Sequence, residues 1–214
     1  MSSLEDINYY IPVVREIDSD NSCLFNSIGY LQDKSSFNEN TSQNLRIMIS
    51  NHIKNNKEKY NSSYLNMTNE EYQNFIINKD NWGGAIEIQI LSDILQIEIC
   101  AFDIENMQTL FFGENDNYNQ IIFIIYNGIH YNSLVLLPEG CSDFDFDLTK
   151  FPNYMKTILT DKFFEIIKKM NSENQFVNLN NMAIICDDCK DIFPDQKHAI
   201  IHQKNVGHCN FSQI

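Results

Sequence analysis

The first half of the chain repeats its apolar residues at the spacing of helices. In Thr41–Tyr60 and in Ala85–Leu95 apolar residues recur every four positions, which is typical of amphipathic helices. Thr68 and Glu71 have the spacing of a capping box and predict the start of a further helix. A further segment with apolar residues at helical spacing begins at Cys23. The predicted helices therefore cover 23–30, 41–60, the segment after Thr68, and 85–95.

After these helices the period changes to that of strands. Ile121–Tyr126 is apolar throughout, as expected of a strand that is covered on both faces. Asn127-Gly128 is a strong hairpin signal, and Tyr131–Leu137 would be the returning strand. Other predicted strands are Tyr9–Ile17, Ile97–Asp103 and Gln108–Phe112. This order of helices and then strands favours an α+β fold or a layered α/β/α arrangement.

The last third of the chain has a different organisation. Pro138–Phe151 is acidic and contains glycine and proline, which predicts a domain boundary. A helix is predicted over Tyr154–Met170, with Ile158 and Phe164–Ile167 on its apolar side. The predicted division is a tail at 1–8, a main domain at 9–137, an acidic linker at 138–151, a connecting helix within 152–183, and a small domain at 184–214.

Composition and charge narrow the functional classes. With 214 residues, 43% of them hydrophobic, the chain is long enough for one domain and a small appendage. Apolar runs stay well short of the roughly 20 residues that span a bilayer, and Met1 opens a polar stretch; we therefore expect a cytoplasmic protein without a membrane partner. The formal charge of −14 disfavours nucleic acid as the main partner.

Three residues form a candidate catalytic group. Cys23 follows a polar turn at the start of a predicted helix, where the helix dipole lowers the pKa of a thiol. His130 comes just after the Asn127-Gly128 turn, and an imidazole there would take the thiol proton. Asn132 lies two residues further on the same strand face and can orient the ring. Singly, such residues are more often structural than catalytic, so the wider pattern has to decide.

That wider pattern resembles the ovarian-tumour (OTU) cysteine proteases. The sequence contains Asp20-x-x-Cys23-Leu-Phe, Trp82-Gly-Gly-Ala-Ile-Glu87 and Gly128-Ile-His130-Tyr131, which are similar to the three signature blocks of that family and stand in the same order. The similarity runs from about Tyr9 to Leu137. The resemblance implies a papain-like OTU fold, with α/β/α layers around a small mixed sheet, and hydrolysis after the C-terminal glycine of ubiquitin.

The resemblance also implies roles for individual residues. Cys23 would be the nucleophile and His130 the general base, while Asp20 would be the acidic residue of the cysteine block, whose turn supplies oxyanion N–H groups. Trp82, Gly83 and Gly84 would shape the channel for the ubiquitin tail. Many relatives have aspartate where this chain has Asn132, so either Asp20 or Asn132 could support the histidine. The alternative to an active enzyme is a weakly active or inactive ubiquitin-binding adaptor.

The C-terminal segment contains a second candidate site. Cys186-x2-Cys189-x12-His202-x5-His208 has the residue types and spacing of a tetrahedral C2H2 zinc finger, with His198 and Cys209 as spare ligands. Residues 184–210 hold three lysines, four aspartates and no arginine, which argues against reading of DNA bases. We expect structural Zn²⁺ here and no cofactor for catalysis.

The helix and finger together resemble one branch of the family, the ubiquitin thioesterase OTU one (YOD-type) deubiquitinases. This likeness implies ubiquitin or polyubiquitin as partner and suggests a place in ER-associated degradation. Relatives in the branch often dock on the p97 ATPase through an N-terminal ubiquitin-like domain. Because the OTU similarity begins about ten residues from Met1, we expect that docking domain to be absent from this sequence, while a p97-type ATPase stays a possible partner.

Overall fold

The computed structural model describes residues 7–178, 184–193, 196–208 and 211–213. The chain divides into two compact units between Gln175 and Phe176. The helices of the first unit are α1 (Cys23–Gln32), α2 (Thr41–Asn55), α3 (Ser62–Leu65), α4 (Asn69–Ile77), α5 (Ala85–Leu95) and α6 (Lys156–Ser172). Its strands are β1 (Tyr10–Arg15), β2 (Glu98–Asp103), β3 (Gln108–Phe112), β4 (Gln120–Tyr126), β5 (Tyr131–Pro138) and β6 (Phe151–Pro152).

The strands form one mixed sheet in the order β1-β5-β4-β2-β3, and β6 pairs with the end of β4. Strands β2 and β4 are parallel, while the other pairs are antiparallel. Asn127-Gly128 forms the predicted tight turn: the Asn127 N–H donates to the His130 carbonyl at 3.1 Å, and Gly128 has a φ of 104°, which glycine adopts without strain. Tyr126 consequently pairs with Tyr131 across the hairpin.

Alternate residues of the central strands point to two separate cores, because successive strand side chains face opposite ways. Ile99, Ile122 and Val135 belong to a core with the helices on one face. On the other face, Phe123 packs on Phe163 of α6 with 4.8 Å between ring centroids. Helices thus cover both faces of a small mixed sheet, which confirms the α+β fold with α/β/α layers.

The predicted helices exist, with corrections at their ends and on their faces. The capping box at Thr68 and Glu71 is formed and starts α4. Helix α2 ends at Asn55, five residues before the predicted end, and Tyr60 instead packs in the core as a fully buried ring. In α6 the prediction placed Ile158 on the apolar side, but this side chain is 50% exposed. The buried positions of α6 are Leu159, Phe163 and Ile167.

The segment predicted as an acidic linker packs on the first unit. Asp147 is buried and accepts two hydrogen bonds from Arg15, at 2.6 and 2.7 Å, and one from Tyr30 at 2.6 Å. Lys34 donates to three main-chain carbonyls of this segment. Since α6 also buries its apolar side against the sheet, both segments are part of the first unit, which ends at Gln175.

Over its described residues, the second unit contains three short strands and one helix. They are β7 (Ile184–Cys186), β8 (Ile192–Phe193), α7 (Gln196–Val206) and β9 (Phe211–Gln213). The strands are antiparallel in the order β8-β7-β9. Cys186 accepts from the Lys190 N–H at 2.7 Å through its carbonyl, and Lys190 has a φ of 67°. This geometry closes a tight turn between β7 and β8.

Across the described parts of both units, no helix has the length and apolar character that a bilayer crossing requires.

Candidate active site and metal-binding site

Cys23 is the first residue of α1 and is almost fully buried. The segment before it is polar and the residues after it are apolar, so the helix begins where its following side chains can enter the core. Burial raises the pKa of the Cys23 thiol above its ordinary value, while N–H groups of Tyr131 and Leu24 oppose this rise by donating towards the sulfur. The Cys23 sulfur therefore lies close to the main chain of Tyr131. Tyr131 is the first residue of β5 and directly follows His130 in the sequence.

Asp20 shapes the turn that leads into α1. Its Oδ1 accepts from the Ser22 N–H at 2.8 Å, and its carboxylate lies 3.4–3.5 Å from the Asn26 amide nitrogen. The Asp20 carbonyl also accepts from the Cys23 N–H at 3.3 Å. These contacts fix the turn, while the negative charge of Asp20 contributes to the raised pKa of the thiol.

His130 is held by Asn132, at the edge where β5 begins. The distance from His130 Nε2 to Asn132 Oδ1 is 3.0 Å, and the same oxygen accepts from the Ile17 N–H at 2.8 Å. Because an amide oxygen only accepts, Nε2 donates, which leaves Nδ1 as the unprotonated ring nitrogen of the neutral imidazole. Of the two residues considered as support for the histidine, the structure brings Asn132 to the ring and Asp20 to the turn before Cys23.

Cys23 opens into a small pocket beside the segment that contains Trp82, Gly83 and Gly84. Trp82 is 56% exposed, and its Nε1 donates to Asn21 Oδ1 at 2.6 Å. A Cβ on Gly83 would lie 2.7 Å from Phe25 Cζ, whereas a Cβ on Gly84 would meet no atom within 4 Å. The pocket is lined by Asn21, Cys23, Trp82, Gly83, Gly84, Tyr126, Ile129 and Tyr131.

Gly84 is fixed by the helix that it precedes. Its N–H donates at 2.7 Å to Glu87 Oε2, one turn into α5. Glu87 is buried and also accepts from the Tyr72 hydroxyl, and burial raises the pKa of its carboxyl. The start of α5 therefore holds one wall of the pocket in place.

The second unit brings together the four predicted metal ligands. One ligand atom from each of Cys186, Cys189, His202 and His208 lies within 4.8 Å of the others. Cys186 Sγ is 3.5 Å from His208 Nδ1, and Cys189 Sγ is 3.4 Å from His202 Nε2. The two histidine nitrogens are 3.3 Å apart. This group could hold a metal ion; of the two spare ligands, His198 is exposed and Cys209 lies outside the described residues.

Comparisons with known proteins bear on the first unit. The family described as "OTU-like cysteine protease" matches residues 18–133, a segment that includes Cys23, His130 and Asn132. The Arabidopsis thaliana protein named "OVARIAN TUMOR DOMAIN-containing deubiquitinating enzyme 2" is 38% identical over 95% of this chain and 98% of its own length. The chain belongs to the OTU-like cysteine protease family. The family resemblance drawn from the sequence is thereby confirmed.

Other OTU proteins are similar over most of this chain. The "Ubiquitin thioesterase OTU1" of Dictyostelium discoideum is 37% identical over 93% of this chain, and that of Homo sapiens is 33% identical over 92%. The chain spans 60% and 56% of the lengths of these two relatives. A solved structure titled "Structure of Ovarian Tumor (OTU) domain in complex with Ubiquitin" aligns with a TM-score of 0.66 and 30% identity, covering 78% of this chain and 90% of its own.

Two contacts of this OTU site were missed by the sequence analysis. The Ile17 N–H, which orients Asn132, comes from a loop distant in sequence and leaves no local signal. Arg46 of α2, which is fully buried and contacts the turn before Cys23, does leave one. It precedes Ile49, Ser50 and Ile53 by three, four and seven residues and therefore lies on the buried face of its helix.

Proposed function

We propose that this OTU protease is a deubiquitinase that hydrolyses isopeptide or thioester bonds at the C-terminal glycine of ubiquitin. The observation that supports this most is the arrangement around β5. A cysteine at a helix N-terminus lies against the strand residue that follows a histidine, and an asparagine orients that histidine. The substrate is taken from the names of similar proteins, which are ubiquitin thioesterases and a deubiquitinating enzyme.

In this proposal Cys23 is the nucleophile and His130 the general base. The 3.0 Å contact with Asn132 keeps the proton on Nε2, so Nδ1 is free to take the proton of the thiol. The thiol starts neutral because burial raises its pKa, and it becomes nucleophilic as the proton moves to the imidazole. Asn132 is a positioning residue whose oxygen favours one tautomer and one ring orientation.

The oxyanion would form beside the turn that precedes α1. Among the described residues, the Asn21 N–H has no hydrogen-bond partner, whereas the Asp20 and Ser22 N–H groups already donate within the turn. The Cys23 N–H makes only a long hydrogen bond, of 3.3 Å, to the Asp20 carbonyl. The N–H groups of Asn21 and Cys23 are therefore suited to donate hydrogen bonds to the oxyanion as its negative charge develops. Gly83 and Gly84 would let the extended ubiquitin tail approach the backbone, with Trp82 covering it.

The reaction then follows acyl transfer through a thioester. The Cys23 sulfur bonds to the carbonyl carbon of ubiquitin's last glycine, and the C–N bond to the lysine amine breaks as His130 gives that amine its proton. His130 next takes a proton from water, whose oxygen attacks the thioester carbon, and the C–S bond breaks as His130 returns that proton to the Cys23 sulfur. The products are a ubiquitin carboxylate and the free thiol.

We also propose that the metal of the second unit is structural zinc. Tetrahedral zinc with Zn–S of about 2.3 Å and Zn–N of about 2.0–2.1 Å separates sulfur and nitrogen by about 3.6 Å and two nitrogens by about 3.3 Å. The corresponding separations are 3.4–3.5 Å and 3.3 Å, and the donors are two thiols and two imidazoles. Cys186, Cys189, His202 and His208 would hold the ion, and metal analysis of the purified protein should find one zinc per chain.

The wider cellular setting stays a prediction. It comprises a cytoplasmic location, a role in ER-associated degradation, and a p97-type ATPase as a possible partner. The predicted domain boundaries at 1–8, 9–137, 138–151, 152–183 and 184–214 likewise stay predictions, although α6 is packed within the first unit.

The test of the proposed function is cleavage of the eight diubiquitin isomers by the full chain. We expect at least one isomer to be cut by the wild type and none by Cys23→Ala or His130→Ala. If the wild type binds diubiquitin as tightly as Cys23→Ala does but cuts none of the isomers, the protein is instead the ubiquitin-binding adaptor described above.

A further inference from the structure

Arg46 is a fully buried cation beside the active-site turn. Its Nη2 donates to the Asn21 carbonyl at 2.9 Å, to Ser22 Oγ at 3.1 Å and to the Asn81 carbonyl at 2.8 Å. Its Nη1 donates to the carbonyls of Ile76 and Asn78, at 3.1 and 3.3 Å. One side chain of α2 therefore joins the turn before Cys23, the end of α4 and the residue before Trp82.

All five oxygens that receive these hydrogen bonds are neutral. Within the described parts of the chain Arg46 forms no ion pair with a carboxylate, and its buried Nε has no hydrogen-bond partner. A buried guanidinium without a counter-ion is costly, and burial lowers the pKa of Arg46. The other arginine of the chain, Arg15, pairs with Asp147 at 2.6 Å. Glu87 and Asp20 form no direct ion pair with Arg46 within the described residues, and they favour its charged form only from a greater distance, as does the Cys23 thiolate.

The guanidinium of Arg46 also packs against Phe25 of α1, and Phe25 packs against Gly83 in the wall of the catalytic pocket. Its Cζ lies 4.0 Å from the centroid of the Phe25 ring, which is a cation–π distance. Phe25 in turn is the side chain that a Cβ on Gly83 would strike first, at 2.7 Å. Arg46, Phe25 and Gly83 therefore form a continuous stack that runs from α2 through α1 to the Trp82 segment.

We propose that Arg46 is a positioning residue of the cysteine protease site, which fixes the Cys23 turn against the Trp82–Gly84 segment and stabilises the thiolate of Cys23 through its charge. The inference rests on the proposed role of Cys23 as nucleophile. Arg46 touches neither substrate nor reacting atoms in this account and acts through the two segments that it joins.

The charge effect has a definite sign. A cation near a thiol favours the thiolate and lowers its pKa, and removal of Arg46 should raise it. The attraction is mutual, because the Cys23 thiolate favours the charged form of Arg46. Asp20 acts in the opposite direction on the thiol. The titratable or charged groups that interact electrostatically with Cys23 are Asp20, Arg46, Tyr126 and Tyr131, while Glu87 acts on Arg46 and Tyr131.

The test compares Arg46→Met and Arg46→Lys with Arg15→Met as matched control. Each full-length variant is first checked for folding by thermal unfolding. The rate of iodoacetamide alkylation at Cys23 is then measured by peptide mass spectrometry from pH 5.5 to 9.5, and kcat and KM are measured on a fluorogenic ubiquitin C-terminal amide. Arg15→Met removes the other guanidinium of the chain, which is half-buried, and should leave both the pH profile and kcat/KM within about twofold of wild type.

For Arg46→Met we expect the alkylation profile to move by about one unit to higher pH, with about a tenfold loss of rate at pH 6.5. Its kcat/KM should fall about a hundredfold. Arg46→Lys presents a charge to the same carbonyl oxygens without the planar fork. Its alkylation rates should stay within about twofold of wild type across the pH range. Its kcat/KM should fall at least tenfold, because the Cys23 turn and the Trp82–Gly84 segment are no longer fixed together.

An Arg46→Met profile that superimposes on wild type, or an Arg46→Lys enzyme with wild-type kcat/KM, would overturn the inference. Should Arg46→Met not fold, Arg46→Lys decides both parts, since a profile shifted by a unit would contradict the role of charge. Failure of the proposed function gives a different result. In that case the wild type cleaves no ubiquitin amide, whatever the Arg46 variants do to alkylation.

Discussion

At the scale of single residues, the site combines a thiol with a raised pKa and a histidine of fixed tautomer. Burial and the charge of Asp20 both disfavour the Cys23 thiolate. The Asn132 oxygen accepts from His130 Nε2 at 3.0 Å and from the Ile17 N–H at 2.8 Å. In the proposed mechanism the proton therefore starts on the Cys23 sulfur, and His130 Nδ1 is the nitrogen that receives it.

Replacing Asp20 by asparagine should make the thiol more acidic. The asparagine oxygen can still accept from the Ser22 N–H, so the turn is kept while the negative charge is lost. The thiol pKa falls, and alkylation of Cys23 at pH 7 should become about two- to threefold faster. Peptide mass spectrometry of iodoacetamide-treated protein measures this rate, and a slower reaction in Asp20→Asn would show that the carboxylate favours the thiolate.

Asn132 gives a second prediction at this scale. Asn132→Asp retains an oxygen that can accept from both His130 and Ile17, so kcat should stay within about tenfold of wild type. Asn132→Leu has a similar volume but no acceptor, and kcat should fall by about a hundredfold or more, which is the order of loss expected when a catalytic imidazole is misoriented. Steady-state kinetics on the fluorogenic ubiquitin amide checks both, and equal kcat values for the two variants would remove Asn132 from the mechanism.

At the scale of elements, two adjacent glycines of the pocket wall have different constraints. Gly83 lies against Leu24 and Phe25 of α1, while Gly84 has open space around its Cα and precedes α5. The wall therefore depends on close contact between the Trp82 segment and α1 at one position and on the capping of α5 at the next.

Gly83→Ala should reduce both stability and activity, whereas Gly84→Ala should affect substrate binding alone. A Cβ at position 83 would push against Phe25 and Leu24 and cost about 1–3 kcal/mol of unfolding free energy. A Cβ at position 84 projects into free space beside the pocket, so stability should be retained while KM rises severalfold. Urea unfolding and steady-state kinetics measure these effects, and a Gly83→Ala protein as stable as Gly84→Ala would contradict the packing described.

The sequence predicted elements well where the pattern was long and local. Periodicity located α2 and α5, and the Asn127-Gly128 turn fixed the pairing of β4 with β5. The short elements α3 and β6 left too little pattern, since four and two residues cannot show a period. The packing of α6 on the sheet was not predicted either. An apolar stripe predicts a helix but does not indicate which surface of the protein the stripe packs against.

The same limits apply to the site. The four metal ligands could be proposed from their spacing alone, whereas Cys23 and His130 could be proposed only because the three blocks together resemble the OTU family. The contacts of Arg46 and of the Ile17 N–H join segments that are 24 to 115 residues apart. Such contacts arise only when the tertiary fold brings the segments together.

At the scale of the whole molecule, the two candidate sites lie in separate units. The residues around Cys23 belong to the unit that ends at Gln175, and the Cys/His group belongs to the unit that begins at Phe176. Each unit has its own sheet. We therefore expect the chemistry of the first unit to proceed without any group of the second.

Removal of metal should separate the two sites functionally. Treatment with 1,10-phenanthroline should release the zinc and unfold the second unit, since small metal sites stabilise their own domains. The rate of cleavage of the fluorogenic ubiquitin amide should stay within about twofold of that of the zinc-loaded protein, because the proposed catalytic groups belong to the first unit. Metal analysis and kinetics on the same samples check this, and a loss of activity in proportion to lost zinc would contradict it.

Covalent labelling by ubiquitin that carries a C-terminal propargyl group would identify the nucleophile directly. The wild-type chain should form a one-to-one adduct, with the bond mapped by mass spectrometry to the Cys23 sulfur. Cys23→Ala should form none, and His130→Ala should react far more slowly. Labelling at another cysteine, or no adduct in a folded wild-type chain, would contradict the assignment of Cys23 as the nucleophile.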